Sequence, residues 1–190
     1  MGLTIAVLFV GTLVAGVSLA VRRVSDPALT WAIRFGIAIS LVGMALGKLM
    51  ADLPSGIDGV SGAHTVGAPD GTPGMPVTGW STTHGDLRVP HFVGLHALQL
   101  LPLIAVLLAA GSKRIRRLGN ATLRVRLVWI AAAGYAAVVV LTTWQAQRGQ
   151  PLLHRDPTTA SEFVLLAIVC VAAAGTAVRS GHGKSNEPAV

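Results

Sequence analysis

Five long apolar runs dominate this chain. Each is close to the roughly 20 residues that a helix needs to cross a bilayer, and polar junctions separate them. The runs extend over about Leu3–Val21, Ala28–Met50, Pro90–Ala110, Leu127–Gln145 and Ala160–Val178. Inside hydrocarbon a single segment satisfies all its backbone N–H and C=O groups only as a helix. The expectation is therefore an all-α, polytopic membrane helical bundle, one domain of five transmembrane helices over residues 1–178. Composition agrees: 52% of residues are hydrophobic and 12% charged, about half the charge fraction of a soluble domain.

The net charge of +7 raises the question of nucleic acid, but the placement of the charges answers it otherwise. Arg22 and Arg23 follow the first run. Lys113, Arg114, Arg116, Arg117, Arg124 and Arg126 follow the third, and Arg179 and Lys184 the fifth. Every second junction is basic, as cytoplasmic loops are. The intervening segments carry Asp52, Asp58, Asp70, Asp86, Asp156 and Glu162 against Arg88, Arg148 and Arg155. This predicts an N-terminus outside, a C-terminus in the cytosol, the lipid bilayer as the partner of the bulk of the surface, and no nucleic-acid partner. The first run lacks a basic segment ahead of it, so it reads as a retained helix rather than a signal peptide.

Punctuation between the runs is specific. Asp26-Pro27 makes a turn with proline suited to a helix start. Gly43 and Gly47 are spaced as GxxxG, which admits a neighbouring backbone. Arg34 and Lys48 are near enough to the helix ends to reach the interface. The segment 52–89, rich in Gly, Pro, Ser and Thr, predicts an outer loop of turns. A loop of this length is either disordered or functional, and His64, Trp80, His84 and Asp86 favour function. Thr159-Ala160-Ser161-Glu162 predicts a capping box for the fifth helix. Residues 179–190 predict a flexible cytosolic tail. Cys170, the one cysteine, excludes an intrachain disulfide and reads as a packing or lipid-facing residue.

Histidines carry the functional signal. His64, His84, His91, His96 and His154 all belong to the predicted outer side, and only His182 to the other. On a helix His96 lies about 140° round from His91 and about 7.5 Å deeper, with Gln99 between them at about 80°. These three share one polar face that descends into the membrane, where such faces usually turn towards a cavity or a partner. Asp86 and Arg88 stand just before that helix. Trp144, Gln145, Gln147, Arg148 and Gln150 reach the same level from the fourth. The candidate catalytic residues are His91, His96 and Asp86. Arg88, Gln99, Gln145, Arg148 and Gln150 are candidates for binding a substrate, and His64 and His84 for holding a metal.

Gly-Asp-Leu-Arg-Val-Pro-His-Phe-Val-Gly-Leu-His-Ala-Leu-Gln, residues 85–99, resembles a GDLRxxHFxGLHxxQ signature of a group of uncharacterised bacterial multi-pass membrane proteins. Gly-Ala-His-Thr-Val-Gly at 62–67 and Trp-Gln-Ala-Gln-Arg-Gly-Gln at 144–150 resemble parts of the same pattern. The resemblance implies a shared topology in a bacterial cell membrane and no activity.

Four functions fit these residues. A pocket for a lipophilic small molecule (a quinone, lipid or isoprenoid) would use His96 and Gln99 as hydrogen-bonding groups and an arginine for an anionic group. An accessory or assembly subunit of a membrane complex would use the GxxxG pair towards a membrane protein partner. A zinc or copper site would need His64, His84, Asp86 or His154 folded over the helix end, since the i,i+5 spacing of His91 and His96 is poor for one helix. Haem would need one of those two histidines plus a loop histidine, or a single axial ligand. No nucleotide fingerprint, Walker loop, serine elbow or HExxH motif is present, so those enzyme classes have no support.

Overall fold

A computed structural model describes residues 2–21 and 25–180 of the chain. Its helices are α1 (Gly2–Val21), α2 (Pro27–Asp52), α3 (Arg88–Gly111), α4 (Ala121–Gln147) and α5 (Pro157–Ser180), with a short 3-10 turn at Arg116–Gly119 before α4. Two two-residue strands, β1 (Thr65–Val66) and β2 (Gly85–Asp86), pair antiparallel. Among the described residues α2, α3, α4 and α5 are long and apolar enough to cross a membrane, so the chain is a helical membrane-type bundle. Arg22, Arg23, His182, Lys184 and the tail from residue 181 onward lie outside the described residues.

Helix boundaries follow capping side chains rather than the edges of the apolar runs. Asp26 Oδ1 accepts the Ala28 N–H at 2.8 Å and opens α2. Asp86 Oδ1 accepts the Arg88 N–H at 3.0 Å and opens α3. Asn120 Oδ1 accepts the Thr122 N–H at 2.8 Å, so α4 begins well ahead of the expected Leu127. Each cap satisfies an N–H that the first helical turn leaves without a partner. The fifth helix corrects the sequence expectation. Its cap is Asp156, whose Oδ1 accepts the Thr159 N–H at 2.7 Å, with Pro157 in the first turn. Thr159, expected to cap, is fully buried, and its hydroxyl donates to Gln150 Oε1. The other end of α4 is a Schellman motif: Gly149, at φ +72°, donates to the Ala146 carbonyl, and Gln150 to that of Gln145.

The chain divides into two compact units, and α2, α3, α4 and α5 each contribute to both. One unit comprises residues 38–97 and 135–165. Here α2 and α3 cross with backbones in contact: a Cβ on Gly43 would stand 2.7 Å from the Leu95 nitrogen, and one on Gly94 2.6 Å from the Gly43 Cα. A Cβ on Gly47 would strike the His91 ring. The GxxxG pair therefore serves packing within the chain. Tyr135 donates its hydroxyl to the Val93 carbonyl in the same unit.

Residues 53–87 of that unit are a folded cap. The Ala63 N–H donates to the Met50 carbonyl and the Leu87 N–H to the His64 carbonyl, both at 2.8 Å. Together with the β1–β2 pair these bonds fix the cap's two ends. Isolated bridges Pro54–Ser61 and Gly74–Ser81 close its inner turns.

The other unit comprises residues up to Ile37, Leu98–Gly134 and those from Leu166 onward. Trp31, Phe35 and Trp129 form an aromatic cluster with ring centroids 4.7–5.5 Å apart. Arg124 pairs with Asp26 at 3.1 Å. Cys170 packs on α4, where a Cβ on Gly134 would lie 2.7 Å from its sulfur.

Candidate functional site

Most of the residues expected at the site fall in the unit that holds the cap, and they form three groups. The first is centred on Asp86, which is 2% exposed. Its carboxylate accepts the backbone N–H of Ser81 at 2.8 Å and the Nε and Nη2 of Arg88 at 3.0 and 2.7 Å, besides the Arg88 N–H. The Arg88 guanidinium also donates to the Gly79 carbonyl at 2.6 Å. Burial pushes the Asp86 carboxyl up, but the Arg88 side chain and the Ser81 and Arg88 backbone N–H groups outweigh it and hold it below the ordinary value of 3.8. His64 stands beside this pair, its Nδ1 3.8 Å from Asp86 and its Nε2 3.6 Å from Asp70. Asp70 in turn accepts the His64 and Thr65 backbone N–H groups. Against a rise from burial, the Thr65 hydrogen bonds and the neighbouring His64 keep its carboxyl below the ordinary value. This group ties the two ends of the cap together.

Gln145, Arg148 and Gln150 make the second group, at the end of α4. Gln145 is 2% exposed and donates its amide to the Pro151 carbonyl at 2.7 Å. Its Oε1 is buried with no hydrogen-bond partner among the protein atoms. Asp86, Val89, Thr142, Gln145 and Gln150 line a cavity of about 10 Å³, room for one water molecule and far below the volume of a ring system. Arg148 donates to Asp156 at 2.7 Å and to Thr159 Oγ1 at 3.2 Å, and its guanidinium lies over the Trp144 ring at 4.6 Å. Asp156 is thereby held well below the usual carboxylate range, chiefly by hydrogen bonds from Thr159 and then from Gln150 and Arg148. These side chains join α4 to α5.

The third group runs along the start of α3. His91 is half-buried and its Nδ1 lies 2.7 Å from the Gly43 carbonyl. A carbonyl can only accept, so Nδ1 carries the proton. His96 Nδ1 makes the same kind of bond to the Phe92 carbonyl at 2.7 Å. His96 itself is exposed. Its ring lies 6.4 Å from that of Phe92, which is 6.4 Å from Trp80. Phe92 is 44% exposed. Trp80, Phe92 and His96 thus form a ladder of rings from the cap down the outward side of α3.

The expected shared face is therefore divided. His91 turns into the α2–α3 crossing, whereas His96 and Gln99 are exposed, and Gln99 belongs to the other unit. His84 makes a local contact to the Thr83 hydroxyl at 3.0 Å, and His154 is exposed. Among the described residues no three His, Cys, Asp or Glu side chains converge to hold a metal ion. Phe92 is not among the residues that the sequence singles out. Its signal was an aromatic residue between two histidines where a helix face needs only an aliphatic one. No family model, curated protein or solved structure matches this chain.

Proposed function

We propose that the chain is a bacterial plasma-membrane protein whose ring ladder Trp80–Phe92–His96 binds a lipophilic small molecule bearing a hydroxyl or carbonyl group, such as a quinone or an isoprenoid alcohol. The observation that carries this reading is the ladder itself, half-buried at Trp80 and exposed at Phe92 and His96. Two aromatic rings provide flat apolar contact, and the exposed His96 imidazole stands one helical turn further on. The small cavity beside Gln145 has no room for such a molecule, so in this reading Asp86, Arg88, Gln145, Arg148 and Gln150 are positioning residues that hold the cap and the α4–α5 link. His96 is then the one of the expected acid–base residues that touches the ligand. The accessory-subunit alternative loses its main support, because the GxxxG pair is occupied by α3.

Tryptophan emission tests this directly, since quinones quench it on contact. A short-chain quinone titrated into the protein in nanodiscs is expected to quench saturably. Trp80→Phe should remove most of that quenching. His96→Ala should weaken binding about tenfold, the loss of one good hydrogen bond. Linear quenching, the same in all three proteins, would mean partition into the bilayer and would end the proposal.

The proposal includes five crossings, with α1 as the first, the N-terminus outside and the C-terminus in the cytosol. The basic residues between α3 and α4 support that orientation. Reporter fusions after Arg117 should read as cytosolic and an insertion near Thr72 as external. A cytosolic signal at Thr72 overturns the orientation.

A further inference from the structure

At the basic end of α4, Val125, Arg126, Trp129 and Ile130 face Thr176, Ala177 and Ser180 of α5 across an open groove of about 530 Å³. That volume is in the range of small-molecule sites. The groove is amphipathic along its length. Its body is the aliphatic and indole surface of Val125, Ile130, Ala177 and Trp129, the last 46% exposed. Its mouth is polar, with Arg126 donating to the Ser180 hydroxyl over a long 3.4 Å.

The charge of the unit that holds this groove is one-sided. Lys113, Arg114, Arg116, Arg117, Arg126 and Arg179 belong to this unit. Its one carboxylate among the described residues, Asp26, is already paired with Arg124. Arg124 is further tied down by its bond to the Leu118 carbonyl at 2.7 Å. Arg126 is exposed, and its single weak contact leaves most of its fork of donors directed elsewhere.

We infer that this groove is a binding site for one anionic phospholipid, whose acyl chain lies against Trp129 and Ile130 and whose phosphate is held by Arg126; the Ser180 hydroxyl is spent on the Thr176 carbonyl at 2.9 Å and only borders the site. A polar mouth with surplus positive charge and an apolar body match an amphiphile with a negative head. A zwitterionic lipid would bring its own cation into a field that is already positive, and an apolar ligand would leave the guanidinium unused. A planar guanidinium forks onto phosphate oxygens with two parallel hydrogen bonds, which an ammonium cannot do. The surrounding lysine and arginines raise the local concentration of anionic lipid without defining the site.

Native mass spectrometry of the full chain in a neutral detergent, titrated with phosphatidylglycerol or phosphatidylcholine, tests the inference. One phosphatidylglycerol should bind in preference to phosphatidylcholine. Arg126→Gln should weaken that binding about tenfold, with Arg126→Lys in between, as expected for loss of a bidentate charged contact. Thr176→Phe, which fills the groove from an exposed position and keeps every charge, should weaken it comparably. Lys113→Gln, outside the groove, should change it less than about twofold. Equal losses in Lys113→Gln and Arg126→Gln would mean diffuse attraction and overturn the site. So would unchanged binding in Thr176→Phe, equal binding of the two lipids, or full competition by inorganic phosphate. If Arg126→Gln does not fold, the groove-filling variant and the lipid comparison decide the question by themselves.

Discussion

The two units use the same polar residue types in opposite ways. In the unit of residues 38–97 and 135–165, the carboxylates Asp70, Asp86 and Asp156 each accept backbone N–H groups, and Arg88 and Arg148 each pair with one of them. In the other unit one carboxylate, Asp26, meets one arginine, and among the described residues Lys113, Arg114, Arg116, Arg117, Arg126 and Arg179 pair with no carboxylate. Polar groups that close on one another build structure. Polar groups left in excess are open to a ligand. A candidate list drawn from residue type alone cannot distinguish the two; Arg88 and Arg148, expected to bind a substrate, each pair with a carboxylate of their own unit.

The sharpest way to break this comparison is to remove one carboxylate from each unit. Asp86→Asn leaves a partly buried guanidinium without its counter-charge, and loss of one partner of a buried pair costs about 3–5 kcal/mol. Asp26→Asn removes a carboxylate that is 26% exposed, against 1% for Asp86, and that bears one backbone N–H rather than two; it should cost less, about 1–2 kcal/mol. Thermal unfolding of the purified protein reads both, and equal losses would erase the distinction. The same carboxylates set a pH dependence. Asp70 and Asp86 titrate below 3.8 in the folded chain, so their contribution is complete above the ordinary carboxylate range. It is lost as pH falls through the lower folded values. The melting temperature should therefore decline from about pH 4 downward, and Asp86→Asn should flatten that decline. A wild-type profile unchanged by the substitution would mean that acid acts elsewhere.

The membrane-type helices were legible because hydrocarbon leaves a chain few choices. A run such as Val164–Val171 announces itself, and α5 is the least enclosed of the four spans, with 6% of its core window buried. Helix ends were less legible, since they depend on one side chain outside the run. Asn120 extends α4 back into the basic stretch ahead of the expected Leu127, and Asp156 displaces the cap predicted at Thr159. The cap's fold was hidden altogether. It is fixed by pairings between residues 21 and 19 apart in sequence, Thr65 with Asp86 and Val66 with Gly85, and no local pattern encodes a register of two residues. Helical geometry did group His91, His96 and Gln99 on one polar side. It could not say that α2 would cover His91 and leave His96 exposed, because that depends on where Gly43 and Gly94 let two backbones meet.

Glycine carries the comparison to its finest scale. In α2 a methyl group at Gly43 meets backbone atoms of Gly94 and Leu95 at 2.7–2.9 Å. Backbone cannot rotate aside as a side chain can, so Gly43→Ala must separate the helices and should destabilise by about 2 kcal/mol. At Gly175 in α5, which belongs to the other unit, a methyl group meets nothing within 4 Å. There the only effect left is the backbone freedom that glycine gives the unfolded chain. Gly175→Ala should therefore stabilise, by about 0.5–1 kcal/mol. Melting temperatures of the two variants should move in opposite directions from wild type. A loss of stability at Gly175 would show that this face of α5 is covered in the working protein, by lipid or by another helix packed as closely as α3 packs on α2.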